Sequence, residues 1–374
     1  MIALTRPEFG DEEARAVASV LKSGWVSQGP KVAEFETLVA ARVGAAHGVA
    51  ATSCTTALHL ALVASGIGPG DEVICPSYSF IATANAVLYA GATPVFADIE
   101  ADTWNIDPAD VEKRVSPKTK AILAVHQVGL AADIDRLKAA APNGIPLIED
   151  AACAIGSLYK GRPVGSSGNV SCLSFHPRKT ISLGEGGMVL TDDGAIADRL
   201  RRLRSHGASV SDLDRHRAQG LVYEEYHELG FNYRMTDIQA AIGIEQLKRL
   251  DDLLARRRAV ATRYNAAFCR VEQIQTPAEP AYARHSYQSY AIRLRPGCRV
   301  GRDEAMRELI AAGISCRRGI PPIHLEPLYR DRGRVSLPVT EAVAADSIFL
   351  PLYASLPESD QARVIDTVIR IVTR

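Results

Sequence analysis

No C-x-x-C pair occurs in the chain, and its seven cysteines stand singly at 54, 75, 153, 172, 269, 298 and 316. An odd number at such spacings argues against both a zinc knuckle and a disulfide framework. Most of them read as small buried apolar side chains. There is also no run of about 18 uncharged apolar residues, which excludes a membrane-spanning helix. Arg6, Glu8, Asp11 and Glu12 follow Met1-Ile2-Ala3-Leu4 too soon for the apolar stretch of a signal peptide. The location expected from these absences is the cytoplasm. Net charge is missing as well, because 43 Lys+Arg balance 43 Asp+Glu. That leaves no overall attraction to nucleic acid or to an acidic membrane, and any anionic ligand must be held by local groups. No fixed-period repeat and no low-complexity tract appears.

What is present is a globular chain of 374 residues, 47% hydrophobic and 23% charged, enough for a large domain and a smaller one at roughly 150 residues per domain. Apolar runs end in polar residues at Glu72–Pro76, Pro94–Asp98, Ala121–Val125 and Pro146–Asp150. Runs of this kind, separated by helical stretches such as Thr55–Ser65 and Asp133–Ala141, predict an α/β fold with an open, mostly parallel sheet. Val170–Phe175 and Gly187–Thr191 flank a glycine-rich turn and predict a hairpin-like or adjacent strand pair. Thr236–Phe268 reads as one long helix, with Leu247, Leu250, Leu253 and Leu254 at helical spacing. Proline-punctuated short elements follow, closed by an amphipathic helix from Ser359 to about Val372. The expected division is a large domain over 1–245 and a smaller C-terminal α+β domain over 246–374, entered through the long helix. The polar segment Gly207–Gly230 reads as a long loop or a loop with a short helix.

Four constellations carry chemistry. The run Ile148-Glu149-Asp150 delivers a carboxylate to a strand's C-terminal end, where open α/β sheets place ligands; a helix cap explains Asp150 equally well on its own. Lys179 leaves a buried strand just before Gly184-Glu185-Gly186-Gly187, a setting in which desolvation would lower its pKa and make the amine nucleophilic. Ser53-Cys54-Thr55-Thr56 opens an apolar-periodic helix, giving either an ordinary N-cap or a phosphate site built from free N–H groups and hydroxyls. Tyr78 and Phe80 follow a strand end and supply aromatic rings, for core packing or for a flat ligand. Together the four meet one requirement: a phosphate held at a helix start, an aromatic face for a flat ring, a carboxylate for a ring nitrogen and an amine for a carbonyl. Pyridoxal phosphate needs all of them.

On these residues the chain resembles the sugar aminotransferases of the DegT/DnrJ/EryC1/StrS group, which have the fold of aspartate aminotransferase. The likeness runs from Gly24-Trp25-Val26-Ser27-Gln28-Gly29-Pro30 through Ser53–Leu62, Glu149–Gly156, Ser174–Gly187 and Gly230–Leu247 to Leu350-Pro351-Leu352-Tyr353. It implies a seven-stranded type of sheet in the large domain. It also implies that Lys179 forms the internal aldimine, that Asp150 pairs with the pyridinium nitrogen and that Phe80 stacks on the ring. Thr55, the backbone of Cys54 and Ser174 would hold the phosphate. Asn232 would reach the phosphate bound by a neighbouring subunit, so a homodimer with shared sites is implied. Arg317 and Arg318 would pair with diphosphate oxygens of the acceptor, and His324 would contact its sugar or phosphate; solvated arginines and a packed histidine are the plain alternative.

The implied reaction moves an amino group from an amino acid, L-glutamate by the same likeness, to a nucleotide-linked 4-keto-6-deoxyhexose, with ping-pong kinetics. A keto-cyclitol acceptor would need the same apparatus, and a non-catalytic regulator that binds a sugar nucleotide would not need Lys179. Two departures from the family's pattern stand out. Cys54 occupies a position that is usually glycine, and Cys153 one that is often Gln or His.

Overall fold

The structure is a computed structural model and describes residues 1–142, 144–210, 215, 218, 220–332 and 335–374. Its strands, in chain order, are β1 (His47–Ala51), β2 (Glu72–Pro76), β3 (Thr93–Ala97), β4 (Thr119–Val125), β5 (Leu147–Asp150), β6 (Leu158–Tyr159), β7 (Arg162–Pro163), β8 (Val170–Ser174), β9 (Gly187–Thr191), β10 (Ile274–Gln275), β11 (Ala283–Arg284), β12 (Tyr290–Leu294), β13 (Arg317–Arg318) and β14 (Ser347–Leu350).

The large sheet has seven strands in the order β1-β9-β8-β5-β4-β2-β3. β3, β2, β4, β5 and β8 pair in parallel, while β9 runs antiparallel between β8 and β1. Every residue of β5, β8 and β9 is buried, as a strand covered by helices on both faces requires, so their apolar residues are not confined to one face. The helices Cys54–Ala64 and Ile134–Ala140 cross over between strands where the sequence pattern places them. The chain is therefore an α/β protein with a large, mostly parallel sheet between helices, followed by a smaller α+β region.

That second region holds a four-stranded antiparallel sheet, β10-β12-β14-β13, covered by the helix Glu358–Val372. A small third sheet, β11-β6-β7, joins a strand from the C-terminal part to two from the large one. The N-terminus also crosses over, because Ile2 forms a parallel bridge with Ile314 and is buried in the second core.

The long helix expected over Thr236–Phe268 is two helices, Asp237–Lys248 and Leu250–Phe268, broken at Arg249 (φ −97, ψ 0). No Gly or Pro causes the break. Arg249 is drawn to Glu13 (3.3 Å) and Glu8 (3.5 Å) of the N-terminal segment, and its amide closes a tight turn on Gln246 O at 3.1 Å. The second helix places Leu250, Leu253 and Leu254 in the large core and Val260, Tyr264 and Phe268 in the small one. In the polar Gly207–Gly230 segment, residues 211–214, 216, 217 and 219 lie outside the described residues. Its flanks meet again through bridges Ser205–Asn232 and Ala208–Tyr226. Among the described residues no helix is long and apolar enough to cross a membrane.

Candidate active site

Strand register brings three of the sequence-derived elements to one end of the large sheet. Ser174, the last residue of β8, lies opposite Gly187, and Gly187 lies opposite Ala51, so the chain enters Thr52-Ser53-Cys54 beside Ser174. On the other side of β8, Asp150 is in register with Cys172. Gly187 makes the close approach possible: a Cβ there would stand 2.3 Å from Ser53 O and 2.6 Å from Cys54 N.

The helix Cys54–Ala64 starts from Ser53 in an extended conformation, with Ser53 Oγ accepting from the Thr56 amide at 3.2 Å and Thr56 Oγ1 accepting from the Ser53 amide at 3.0 Å. This capping box uses Ser53 and Thr56. It leaves the amides of Cys54 and Thr55, and the Thr55 hydroxyl, without a hydrogen bond among the described residues. Free donors at a helix start, where the dipole favours negative charge, suit a phosphate. The Cys54 departure is harmless to the turn, since Cys54 is helical and not in the left-handed region. Its thiol, pushed well up by burial and next by Asp150, points to Cys172 O at 3.9 Å.

Asp150 is buried at the end of β5. Its Oδ2 accepts from Thr83 Oγ1 at 2.8 Å and its Oδ1 from the Ala152 amide at 3.2 Å. Lys179 lies in the turn between β8 and β9, which is tied by Phe175 N to Gly186 O and Leu183 N to Phe175 O, both 2.9 Å. Its Nζ donates to Cys153 Sγ at 3.1 Å. Burial alone would lower the Lys179 pKa, but Cys153, Cys54 and Asp150 outweigh it and hold the ammonium above its ordinary value. The lowering expected from desolvation is thus reversed, because the lysine faces acceptors and not an apolar wall.

Phe80, just beyond β2, is 72% exposed, so its ring is free to take a flat partner. Asn232 is exposed too, on a segment whose next residue accepts the Thr52 amide at 3.0 Å through Tyr233 O. Arg317 and Arg318 are exposed on β13, the edge of the second sheet. The Arg317 guanidinium sits 5.1 Å over the Phe349 ring, and the partial desolvation of that group, although the residue as a whole is exposed, together with the charge of Arg178 lowers its pKa.

His324 corrects an expectation. It is 4% exposed, its Nδ1 is 2.6 Å from Ser77 Oγ, and its Nε2 is 3.3 Å from Glu341 Oε1. Both ring nitrogens are engaged inside the protein, so His324 joins the strand-end loop to the helix Pro338–Asp346 and is not open to an acceptor. Sequence reasoning missed Thr83 and Ser79, whose hydroxyls lie 2.7 Å apart beside Asp150. Only the sheet order, which brings the β2 end near β5, could have marked them.

The sequence profile of the DegT/DnrJ/EryC1/StrS aminotransferase family matches residues 7–369. The chain belongs to that family. It is 42% identical over 374 residues to the spore coat polysaccharide biosynthesis protein SpsC of Bacillus subtilis, covering 98% of this chain and 96% of that protein. It is 40% identical over 367 residues to GDP-perosamine synthase of Caulobacter vibrioides, covering 97% and 96%. Among solved structures, S. venezuelae DesV in complex with a ketimine intermediate superposes with a TM-score of 0.90 at 36% identity, covering 97% of this chain and 95% of that one. The DegT/DnrJ/EryC1/StrS proteins are pyridoxal phosphate-dependent sugar aminotransferases that act on small-molecule substrates, and the present chain, as a member, is a transaminase.

Proposed function

We propose that the protein moves an amino group from L-glutamate to a nucleotide-linked 4-keto-6-deoxyhexose, using pyridoxal phosphate held at the C-terminal end of the large sheet. The observation that carries this reading is the convergence of Lys179, Asp150, Ser174 and the free donors of Cys54 and Thr55 through the register of β5, β8 and β9. These residues fit the cofactor. Thr55, the Cys54 amide and Ser174 suit its phosphate, Phe80 offers a face for its ring, Asp150 a carboxylate for its ring nitrogen and Lys179 the amine for its aldehyde. When bound, the cofactor supplies an electron sink for charge developing at the substrate carbon. Asp150 holds the ring nitrogen protonated and so sustains that sink. Lys179 Nζ, freed when the donor enters, takes the proton from the substrate carbon and returns it on the other side of the transfer. Donor and acceptor occupy the same place in turn, so the kinetics are ping-pong.

The acceptor reading draws on Arg317 and Arg318, exposed cations able to pair with diphosphate oxygens, and on the name of the GDP-perosamine synthase relative. We assign Asn232 to the phosphate of a second subunit in a homodimer. Its exposure, with that of Phe80 and of Leu221 (88%) and Leu229 (86%), leaves a surface for a partner to cover.

The test is reconstitution with pyridoxal phosphate, borohydride reduction and mapping of the adduct, followed by assay of nucleotide keto-sugars against keto-cyclitols with glutamate as donor. The expected result is a visible absorption band and an adduct at Lys179, both lost in Lys179→Ala, with turnover of the nucleotide-linked ketone. A colourless protein with no adduct refutes the cofactor role, and turnover of cyclitols alone refutes the acceptor.

A further inference from the structure

Asp150 stands at the end of a two-hydroxyl chain whose direction is set by counting protons. Thr83 on the helix Ala82–Tyr89 and Ser79 before it are 1% and 3% exposed. Thr83 Oγ1 is 2.8 Å from Asp150 Oδ2, and Ser79 Oγ is 2.7 Å from Thr83 Oγ1. A carboxylate only accepts, so the single Thr83 proton goes to Asp150, and Ser79 must donate to Thr83. With the Ala152 amide on Oδ1 at 3.2 Å, each carboxylate oxygen has a donor within the protein, and the plane of the group is set before a ligand arrives.

We infer that Thr83 is the positioning residue of Asp150, aiming its carboxylate at the ring nitrogen of the cofactor, and that Ser79 fixes the Thr83 hydroxyl in its donating rotamer. This rests on the cofactor reading above.

The surroundings of Asp150 leave that task to neutral donors. Lys179 from the β8–β9 turn interacts with Asp150 by charge, while Cys54 from the helix start and Cys172 from β8 are thiols pushed well up by burial. In the resting holoenzyme Lys179 would be committed to the cofactor, so it is not available to orient the carboxylate.

The experiment compares wild type, Thr83→Val, Thr83→Ser and Ser79→Ala as reconstituted holoenzymes. Three quantities are read: thermal denaturation, the pyridoxal phosphate dissociation constant, and the pH midpoint of the cofactor's visible absorption. A hydrogen bond to a charged group corresponds to about tenfold to a hundredfold in an equilibrium constant. Thr83→Val is therefore expected to weaken cofactor binding within that range and to displace the absorption midpoint. Thr83→Ser restores both to within about threefold of wild type because it keeps the donor. A role in packing alone would not give rescue by serine with a displaced midpoint in valine. Should Thr83→Val fail to fold, Ser79→Ala decides, with weaker binding and a displaced midpoint expected and wild-type values overturning the inference. Wild-type binding and midpoint in Thr83→Val overturn it too, while a coloured wild type leaves the cofactor reading standing; a wild type that takes up no cofactor overturns both.

Discussion

Gly187 is where the fold and the site are most tightly joined, and Gly187→Ala puts a number on that junction. A methyl at this position would lie 2.3 Å from Ser53 O, 2.4 Å from Ser53 C and 2.6 Å from Cys54 N. All three atoms are backbone, so no side chain can swing away, and the strand and the helix start must separate by about 1 Å to restore ordinary contact. Overpacking of this kind costs about 1–3 kcal/mol, which for a chain of this size lowers Tm by roughly 1–4 °C. The larger effect falls on the ligand. The displaced atoms carry the free Cys54 and Thr55 amides, and a misplacement of about 1 Å at a binding group is worth on the order of a hundredfold. Gly301→Ala is the control, because Gly301 has φ −75 and open space around its Cβ position; it should change stability by less than about 1 kcal/mol and leave cofactor affinity alone. Calorimetry without cofactor and a pyridoxal phosphate titration read the two effects separately. If Gly187→Ala binds the cofactor as tightly as wild type despite the lowered Tm, the helix start is not the phosphate site.

The parts of this architecture that could be read from sequence are those fixed by local pattern. β2, β5 and β9 end where an apolar run buried on both faces meets Pro76, Asp150 and Thr191, and the helix after Ser53 begins where a hydroxyl can cap it. Elements set by partners far along the chain were not readable. The break at Arg249 answers to Glu8 and Glu13, and the burial of His324 answers to Ser77 and Glu341. An arginine-rich, proline-flanked stretch around residue 324 carries no mark of either partner. Thr83 is the same case in the site itself: nothing in Phe80-Ile81-Ala82-Thr83 announces a carboxylate donor until β2, β4 and β5 are laid side by side. The direction of the Lys179 shift also depended on neighbours, since Cys54 comes from the helix start and Asp150 and Cys153 from the end of β5 and just beyond it, both far from Lys179 in the chain.

Three further outcomes are expected. Asp150→Ala should lower the transamination rate by at least about a thousandfold, the scale of losing a fixed electrostatic partner at the reacting group, while retaining some cofactor; a rate near wild type in stopped-flow half-reactions refutes its role. His324→Ala should cost about 2–4 kcal/mol through a cavity and two lost hydrogen bonds yet leave the acceptor KM near wild type; a raised KM with unchanged denaturation would return His324 to the substrate. The last concerns His285, which is 1% exposed, accepts the Tyr287 amide on Nδ1 at 2.9 Å and is pushed down by burial to a pKa of about 3. The unfolded imidazole takes a proton below about pH 6.5, whereas the folded one stays neutral until about pH 3. The unfolded state therefore binds more protons throughout that window, and this residue's contribution to stability falls by about 1.4 kcal/mol per pH unit as the medium is acidified. His285→Gln cannot titrate, so its stability deficit relative to wild type should shrink steadily from pH 6.5 towards pH 4 in chemical denaturation. A deficit that stays constant over that range would mean the folded histidine is protonated along with the unfolded one, and the buried neutral ring would have to be abandoned.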